Sequence, residues 1–535
     1  MIKTSYPQPN IAMSVPQPTS SHKHHFFILG FICFVVYSFF AILKPIHIDE
    51  ANFLQLTTGE FWRPHNIHIN WQGNTQVAFD VLSNPPGIAW YLYPVRHMPI
   101  YIMRLWMILW SIFSLWGFWE LGNISKQNML FAVFAISSPV FALSHGAFLP
   151  DMPLLACTTI GYMLLLTRQN YFWGSFCIGL GFVFRYSAIL PIASIILWSC
   201  IEFYKGNIDH KKIGMIFCSL FIPPLFLFFH DIWVYQKFHF WHMLSFQSIP
   251  KNWEQQMHQL LAIFAQGASG VFLTITWFAF QKSRFLFWII FAAIGVFLSH
   301  SLWSGIWIAT GIISLTFVPK NHTSRWAGFS LLCGILFLFG LRFTATRYWI
   351  ALVPLLVLYL HPLFIQPIFR YSLVGSAILS AFLCLDDWEF ADGYYKIALD
   401  IQKKNLQGSR AFAGHWGLQW YLEQQGFVPV EDDQPITQNW LLYAQRPWPQ
   451  EGSQGTYRLE QSWYIDNRYI GPTILSSHQK AHFHANMIAP DIPTYASWGW
   501  GGDFFDQITL WSYCSHNCIG CLWDIKEPFP NCANK

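Results

Sequence analysis

Apolar positions in this chain fall in long unbroken runs, not in the two-residue alternation of a half-buried strand. The runs lie near 26–43, 99–120, 128–147, 152–167, 171–184, 187–203, 213–232, 258–280, 285–300, 302–318, 326–341, 348–365 and 371–386. A helix needs about 20 apolar residues to cross the hydrocarbon core. The pattern therefore predicts an all-α polytopic membrane domain over 26–386 with about thirteen transmembrane helices. The runs at 171–184 and 187–203 are short and read as a bent hairpin. Ahead of them, residues 1–25 are polar and rich in Pro and Ser, and read as a disordered cytoplasmic tail. Lys44-Pro45 follows the first run in place of a small-residue cleavage site, so that run reads as a signal anchor.

Beyond 387 the long runs stop and polar residues rise. Strands are expected at 410–414, 439–444 and 457–464, with a helix over 415–425 that Gly426 stops. The expected product is a small C-terminal α/β or α+β domain over 387–535. The first outer loop spans 45–98.

Composition sharpens this picture. Of 535 residues, 54% are hydrophobic and only 11% charged, against about 25% charged in soluble domains. Aromatic residues make up 19%, with 28 Trp and 51 Phe, as expected of a chain with many membrane interfaces. A net charge of +4 gives no reason to expect nucleic acid as a partner. Orientation follows from the loop cations. With the N-terminus inside, the inner loops hold Lys126, Arg168, Lys205, Lys211, Lys212, Lys282, Arg284, Lys320, Arg325 and Arg370. An odd number of spans then puts the C-terminal domain on the extracytoplasmic face. The sequons at Asn123 and Asn321 fall on inner loops and read as chance.

Seven of the 11 cysteines lie in apolar runs, where a thiol acts as a small hydrophobe. The other four, Cys514, Cys518, Cys521 and Cys532, cluster near the C-terminus. On an oxidising face they read as two disulfides with three open pairings. Zinc is the alternative for such spacing.

The polar residues that remain collect on one predicted side. Asp49 and Glu50 follow the first run. His65, His68, Asn84, Pro85 and Pro86 lie in the first loop, and Arg104 in the outer part of the second run. His145 and Asp151, Arg185-Tyr186, His230-Asp231, Lys251, His300, Arg342 and Arg347-Tyr348 sit at later outer ends. Ionisable residues at a membrane boundary are costly and point to function. Each also has an ordinary explanation. Asp49 and Asp151 suit helix N-caps, Arg185, Arg342 and Arg347 suit interfacial anchors, and Asn84-Pro85-Pro86 suits a turn. Together, carboxylates that accept a proton and guanidinium forks that hold phosphate describe a site for phosphate-linked transfer.

His47-Ile48-Asp49-Glu50-Ala51-Asn52-Phe53 resembles the first-loop Asp-Glu motif of the GT-C superfamily of membrane glycosyltransferases. Asn84-Pro85-Pro86-Gly87 with Trp90-Tyr91, Arg104-Leu105 and Leu149-Pro150-Asp151-Met152-Pro153 resemble later family segments in the expected order. So do Gly181-Phe182-Val183-Phe184-Arg185-Tyr186, where Arg replaces a common Lys, and Arg347-Tyr348 with Leu352-Val353-Pro354. Asn84 stands where some branches carry Lys or His. The chain is most similar to the protein O-mannosyltransferase-like and lipid A aminoarabinose transferase-like branches, over about 26–200 and 340–360. Trp498 to Asp503 superficially resembles an oligosaccharyltransferase signature but comes too late in the chain.

The resemblance implies an inverting transfer of a sugar from a polyprenyl-phosphate donor to a lipid, glycan or protein acceptor on the outer face. It implies Asp49 as general base, with Glu50 and Asp151 as the other catalytic candidates. Asp151 would orient the acceptor, and Asp49 with Asp151 would hold a divalent cation where one is used. Arg104, Arg185, Tyr186, Arg347 and Tyr348 would bind the donor phosphate, and Asn84, Pro85, Pro86, His230 and Asp231 would line the pocket. The competing readings are a polytopic transporter, an anchor for the C-terminal domain, and another lipid-phosphate-dependent group transferase. Transporters carry midplane charges and repeated halves, and this sequence has neither.

Overall fold

A helix satisfies its own backbone polar groups, which lipid cannot do for it, and the apolar runs fold accordingly. The computed structural model describes residues 20–71, 73–247, 252–271, 284–316, 321–341, 343–364, 366–446, 457–466, 471–485, 487–489, 492–501 and 504–513. Helix α1 (Ser20–Leu43) leads into a first loop built from α2 (Glu50–Leu56), the hairpin β1 (His68–Asn70) and β2 (Thr75–Val77), α3 (Ala78–Val81) and α4 (Gly87–Leu92). Then come α5 (Ile100–Leu121), α6 (Asn128–Ser137), α7 (Pro139–Ser144), α8 (Asp151–Leu166), α9 (Tyr171–Phe184), α10 (Ile189–Tyr204) and α11 (His210–Tyr235). Helices α12 (His239–Gln247), α13 (Trp253–Gly270), α14 (Phe285–Ser299), α15 (Leu302–Ser314) and α16 (His322–Gly340) follow. Last come α17 (Val353–Leu360), α18 (Pro367–Lys403) and, in the C-terminal region, α19 (Trp416–Gln424).

Seven described helical stretches are long and apolar enough to cross a membrane, and five shorter apolar helices accompany them. Together these twelve match twelve of the thirteen expected runs. The other, 258–280, begins as α13 and continues outside the described residues. On α1, Phe27, Phe31, Val35 and Phe39 recur every four residues and are all about half exposed. Such a stripe is what a lipid-facing surface requires. By contrast α17 is buried throughout and forms the hub. Ser138-Pro139 breaks the third run into α6 and α7, because Pro cannot continue the ladder. The expected hairpin of short helices is not formed as such: α9 packs chiefly on α8 and α11, and α10 packs on α11 and α16.

Beyond the bundle lies a five-stranded sheet. It is built from β3 (Arg410–Ala413), β4 (Val428–Pro429), β5 (Trp440–Ala444), β6 (Tyr457–Asp466) and β7 (Phe504–Tyr513), in the order β4-β3-β5-β7-β6. The β3 strand runs parallel to β4 and β5, and β7 antiparallel to β5 and β6. Helix α18 runs unbroken across 387, and its second half carries the sheet through the Phe390–Phe505 stack, 4.6 Å between centroids. The apolar run ends there because the helix leaves the bundle, not because a linker begins. The four C-terminal cysteines, Lys251 and Arg342 lie outside the described residues.

Candidate active site

Two adjacent acids turn in opposite directions. Ile48 stands at φ +47°, a strained setting for a β-branched residue, and α2 starts straight after it. Glu50 points inward and is buried. Arg104, fully buried on α5, grips it with Nη1 and Nη2 at 2.8 and 2.9 Å. The amides of His47 and Phe148 donate to the same carboxylate at 3.0 and 3.1 Å. Burial alone would raise the Glu50 pKa, but Arg104 and Lys44 outweigh it and hold it at about 2. The remaining Arg104 donors go to the carbonyls of Lys44, Pro45 and Gly146. Arg104 thus spends all five guanidinium N–H groups within the protein, and Glu50 accepts from four donors there.

Asp49 points the other way. Its side chain makes no capping bond on α2. Instead Oδ2 pairs with Arg347 Nη2, with the Asp49 side chain 16% and Arg347 11% exposed. Arg347 belongs to a 3₁₀ turn, Thr346–Leu352, that leads into α17. Asp151, first residue of α8 and almost fully buried, pairs with Arg185 Nη1. Arg185 follows the last turn of α9 in extended conformation, which swings its side chain toward α8. Tyr348 joins the two pairs. The Arg185 guanidinium carbon lies 4.5 Å from its ring centroid and that of Arg347 6.0 Å. Both are within cation–π range. Asp49, Asp151, Arg185, Arg347 and Tyr348, spread over 300 residues of sequence, therefore form one cluster.

The predicted pocket residues, together with Tyr186 from the predicted phosphate set, form a separate group that bolts the first loop to α11. Tyr186 Oη and His239 Nδ1 are 2.6 Å apart. His230 bridges the Asp231 carboxylate and the Trp62 carbonyl, both at 3.0 Å. The Asn84 carbonyl lies 3.1 Å from His65 Nε2, and burial lowers the His65 pKa to about 4. Pro86 precedes α4, where a Cβ on Gly87 would come within 2.3 Å of the Val183 carbonyl oxygen. Glycine thus lets the Pro-Pro turn press against the chain just before Arg185. The candidate cation ligands Asp49 and Asp151 each face an arginine, which fills the place an ion would take. Sequence reading passed over Lys44, Asp387 and His484, which lie beside the Asp49–Arg347 pair.

All these groups sit at one end of the bundle. Its opposite end carries Arg168–Glu120 (2.7 Å) and the Glu202, Lys205 and His322 group.

No protein-family model matches this chain, and no curated protein matches it. Among solved structures it is similar to ArnT from Cupriavidus metallidurans bound to undecaprenyl phosphate. That match has 13% identity and a TM-score of 0.45, covering 80% of this chain and 94% of that one. The apo state of the same protein matches at 13% identity and a TM-score of 0.39, covering 79% and 93%. The arabinofuranosyltransferase AftD from Mycobacteria matches at 11% identity and 0.35, covering 92% of this chain and 40% of that one. Likeness at this level says nothing about which residues act.

Proposed function

We propose that this chain is a membrane glycosyltransferase that moves a sugar from a polyprenyl-phosphate donor to an acceptor hydroxyl on the extracytoplasmic face. The observation that carries the reading is the cluster of two carboxylate–arginine pairs about Tyr348. A phosphate has more acceptor oxygens than a carboxylate and can take two guanidinium forks at once. Donor phosphate would take Arg185 and Arg347, releasing Asp49, the more exposed of the two acids, to face the acceptor.

The acceptor oxygen then attacks the anomeric carbon as the bond to phosphate oxygen breaks, with inversion. Asp49 takes the hydroxyl proton, and the polyprenyl phosphate leaves with the bonding electrons. Charge on that phosphate grows as the bond breaks, so Arg185 and Arg347 bind the transition state more tightly than the ground state. Asp151, buried against Arg185, holds that arginine in place. Glu50 and Arg104 form the structural floor.

The test is mass spectrometry of envelope lipids, glycans and proteins from cells carrying the wild type, no gene, or Asp49→Asn. The proposal expects a glycosylated species that is present with the wild type and missing from the other two at equal protein level. Full modification with Asp49→Asn would remove the base assignment. No difference with and without the gene would remove the transferase reading.

A further inference from the structure

Beside the Asp49–Arg347 pair lies a buried group that the proposed transfer does not use. His47 comes from the first loop, two residues before Asp49. Asp387 is on α18, and His484 belongs to the C-terminal region. Asp387 Oδ1 is 3.1 Å from His484 Nε2 and 3.4 Å from His47 Nε2, and the three ligand atoms all lie within 4.8 Å of one another. A tetrahedral zinc ion with arms of about 2.0–2.1 Å spaces neighbouring ligand atoms about 3.3–3.4 Å apart. The three side chains are 1%, 2% and 6% exposed.

Burial makes the unmet bonding of these rings significant. Among the described residues, neither ring nitrogen of His47 forms a hydrogen bond of proper geometry, and His484 Nδ1 has no partner. Buried polar atoms are rarely left so. Lys44 Nζ donates to the second oxygen, Asp387 Oδ2, at 2.9 Å. That bond orients the carboxylate and leaves Oδ1 turned toward both imidazoles, as an outer-sphere donor does at a metal site. With Oδ2 held by Lys44, Oδ1 is the oxygen that meets both imidazoles, and His484 Nε2 lies within hydrogen-bond range of it. Two imidazoles with one carboxylate is a donor set that suits zinc.

We propose that His47, Asp387 and His484 bind one Zn²⁺ ion. The ion joins the first loop, the long helix and the C-terminal region. It lies next to the catalytic candidates by two short paths: His47 is two residues from Asp49, and Phe483 accepts the Thr346 amide at 3.2 Å, one residue from Arg347. The ion is a positioning element, and no step of the transfer passes through it.

The test uses the full-length protein in detergent, stripped with a chelator and titrated with Zn²⁺ alone. Bound metal is counted by mass spectrometry. Wild type and His145→Gln, a buried histidine elsewhere, should each take up about one zinc per chain. His47→Gln and His484→Gln should bind at least about 100-fold more weakly. Uptake in the two variants equal to wild type would overturn the proposal. Should the variants fold poorly, Co²⁺ added to stripped wild type decides. Visible absorption of a tetrahedral site without thiolate charge-transfer bands supports the assignment, and its absence at saturating Co²⁺ overturns it.

Discussion

Asp49 and Glu50 are neighbours in sequence with opposite fates, and their partners explain why. Glu50 meets Arg104 in a fully buried bidentate pair. Asp49 meets Arg347 at a partly open edge. Removing one member of a buried pair leaves the other charge stranded, at a cost of about 3–5 kcal/mol. Arg104→Met should therefore lower stability by about that amount, read as thermal unfolding in detergent. An unchanged midpoint would show that the pair is not structural. The pH dependence follows in sign. Glu50 is held near 2 in the folded state, against an ordinary value of 4.5. Its stabilisation is complete above about pH 4.5 and is lost as pH falls toward 2. Glu50→Gln should show a shallower loss of thermal stability between pH 5 and pH 3 than wild type. An equal slope would rule this out. Sequence alone flagged both acids and Arg104, Arg185 and Arg347, because charge is rare in an apolar chain. It could not say which acid pairs with which arginine, since that depends on where α5 and the 3₁₀ turn at Thr346–Leu352 meet the first loop.

At the level of elements, helices were legible where apolar runs were, and the short strands at 410–413 and 440–444 form within a residue of where they were expected, around the aromatic residues Phe412, Trp440 and Tyr443. The change of composition expected at 387 has a physical reason. Helix α18 changes environment halfway along, so its hydropathy changes while its backbone does not. Asp386 and Asp387 fall at that change, which hid Asp387 as a ligand candidate. The docking of α19 on the first loop was also invisible in sequence. A Cβ on Gly417 would lie 2.1 Å from the Ile46 carbonyl oxygen, and the Ile46 amide donates to Tyr421 Oη at 2.7 Å. The obstacle is backbone, so Gly417→Ala must push the helix off. It should cost about 1–3 kcal/mol, as overpacking does. Amide exchange in residues 50–56 should quicken in that variant. Exchange equal to wild type would mean that α19 does not brace Asp49.

Across the whole molecule, one end of the bundle gathers the ends of α1, α9 and α11 with the starts of α5 and α8. Alternating helix direction brings these ends together, and so unites acids and arginines that lie hundreds of residues apart in sequence. The C-terminal region then closes over the first loop through contacts such as Thr75 with Glu431 (2.7 Å) and Asp432 with Gly73 (2.9 Å). The central claim is that Arg185 and Arg347 form a phosphate site for a polyprenyl lipid. It is tested most directly by measuring undecaprenyl phosphate binding to purified wild type, Arg185→Ala, Arg347→Ala and Arg168→Ala, the last changing an exposed arginine at the opposite end. The first two substitutions should weaken binding at least about tenfold, and Arg168→Ala should leave it unchanged. Equal affinity across all four proteins would contradict the account.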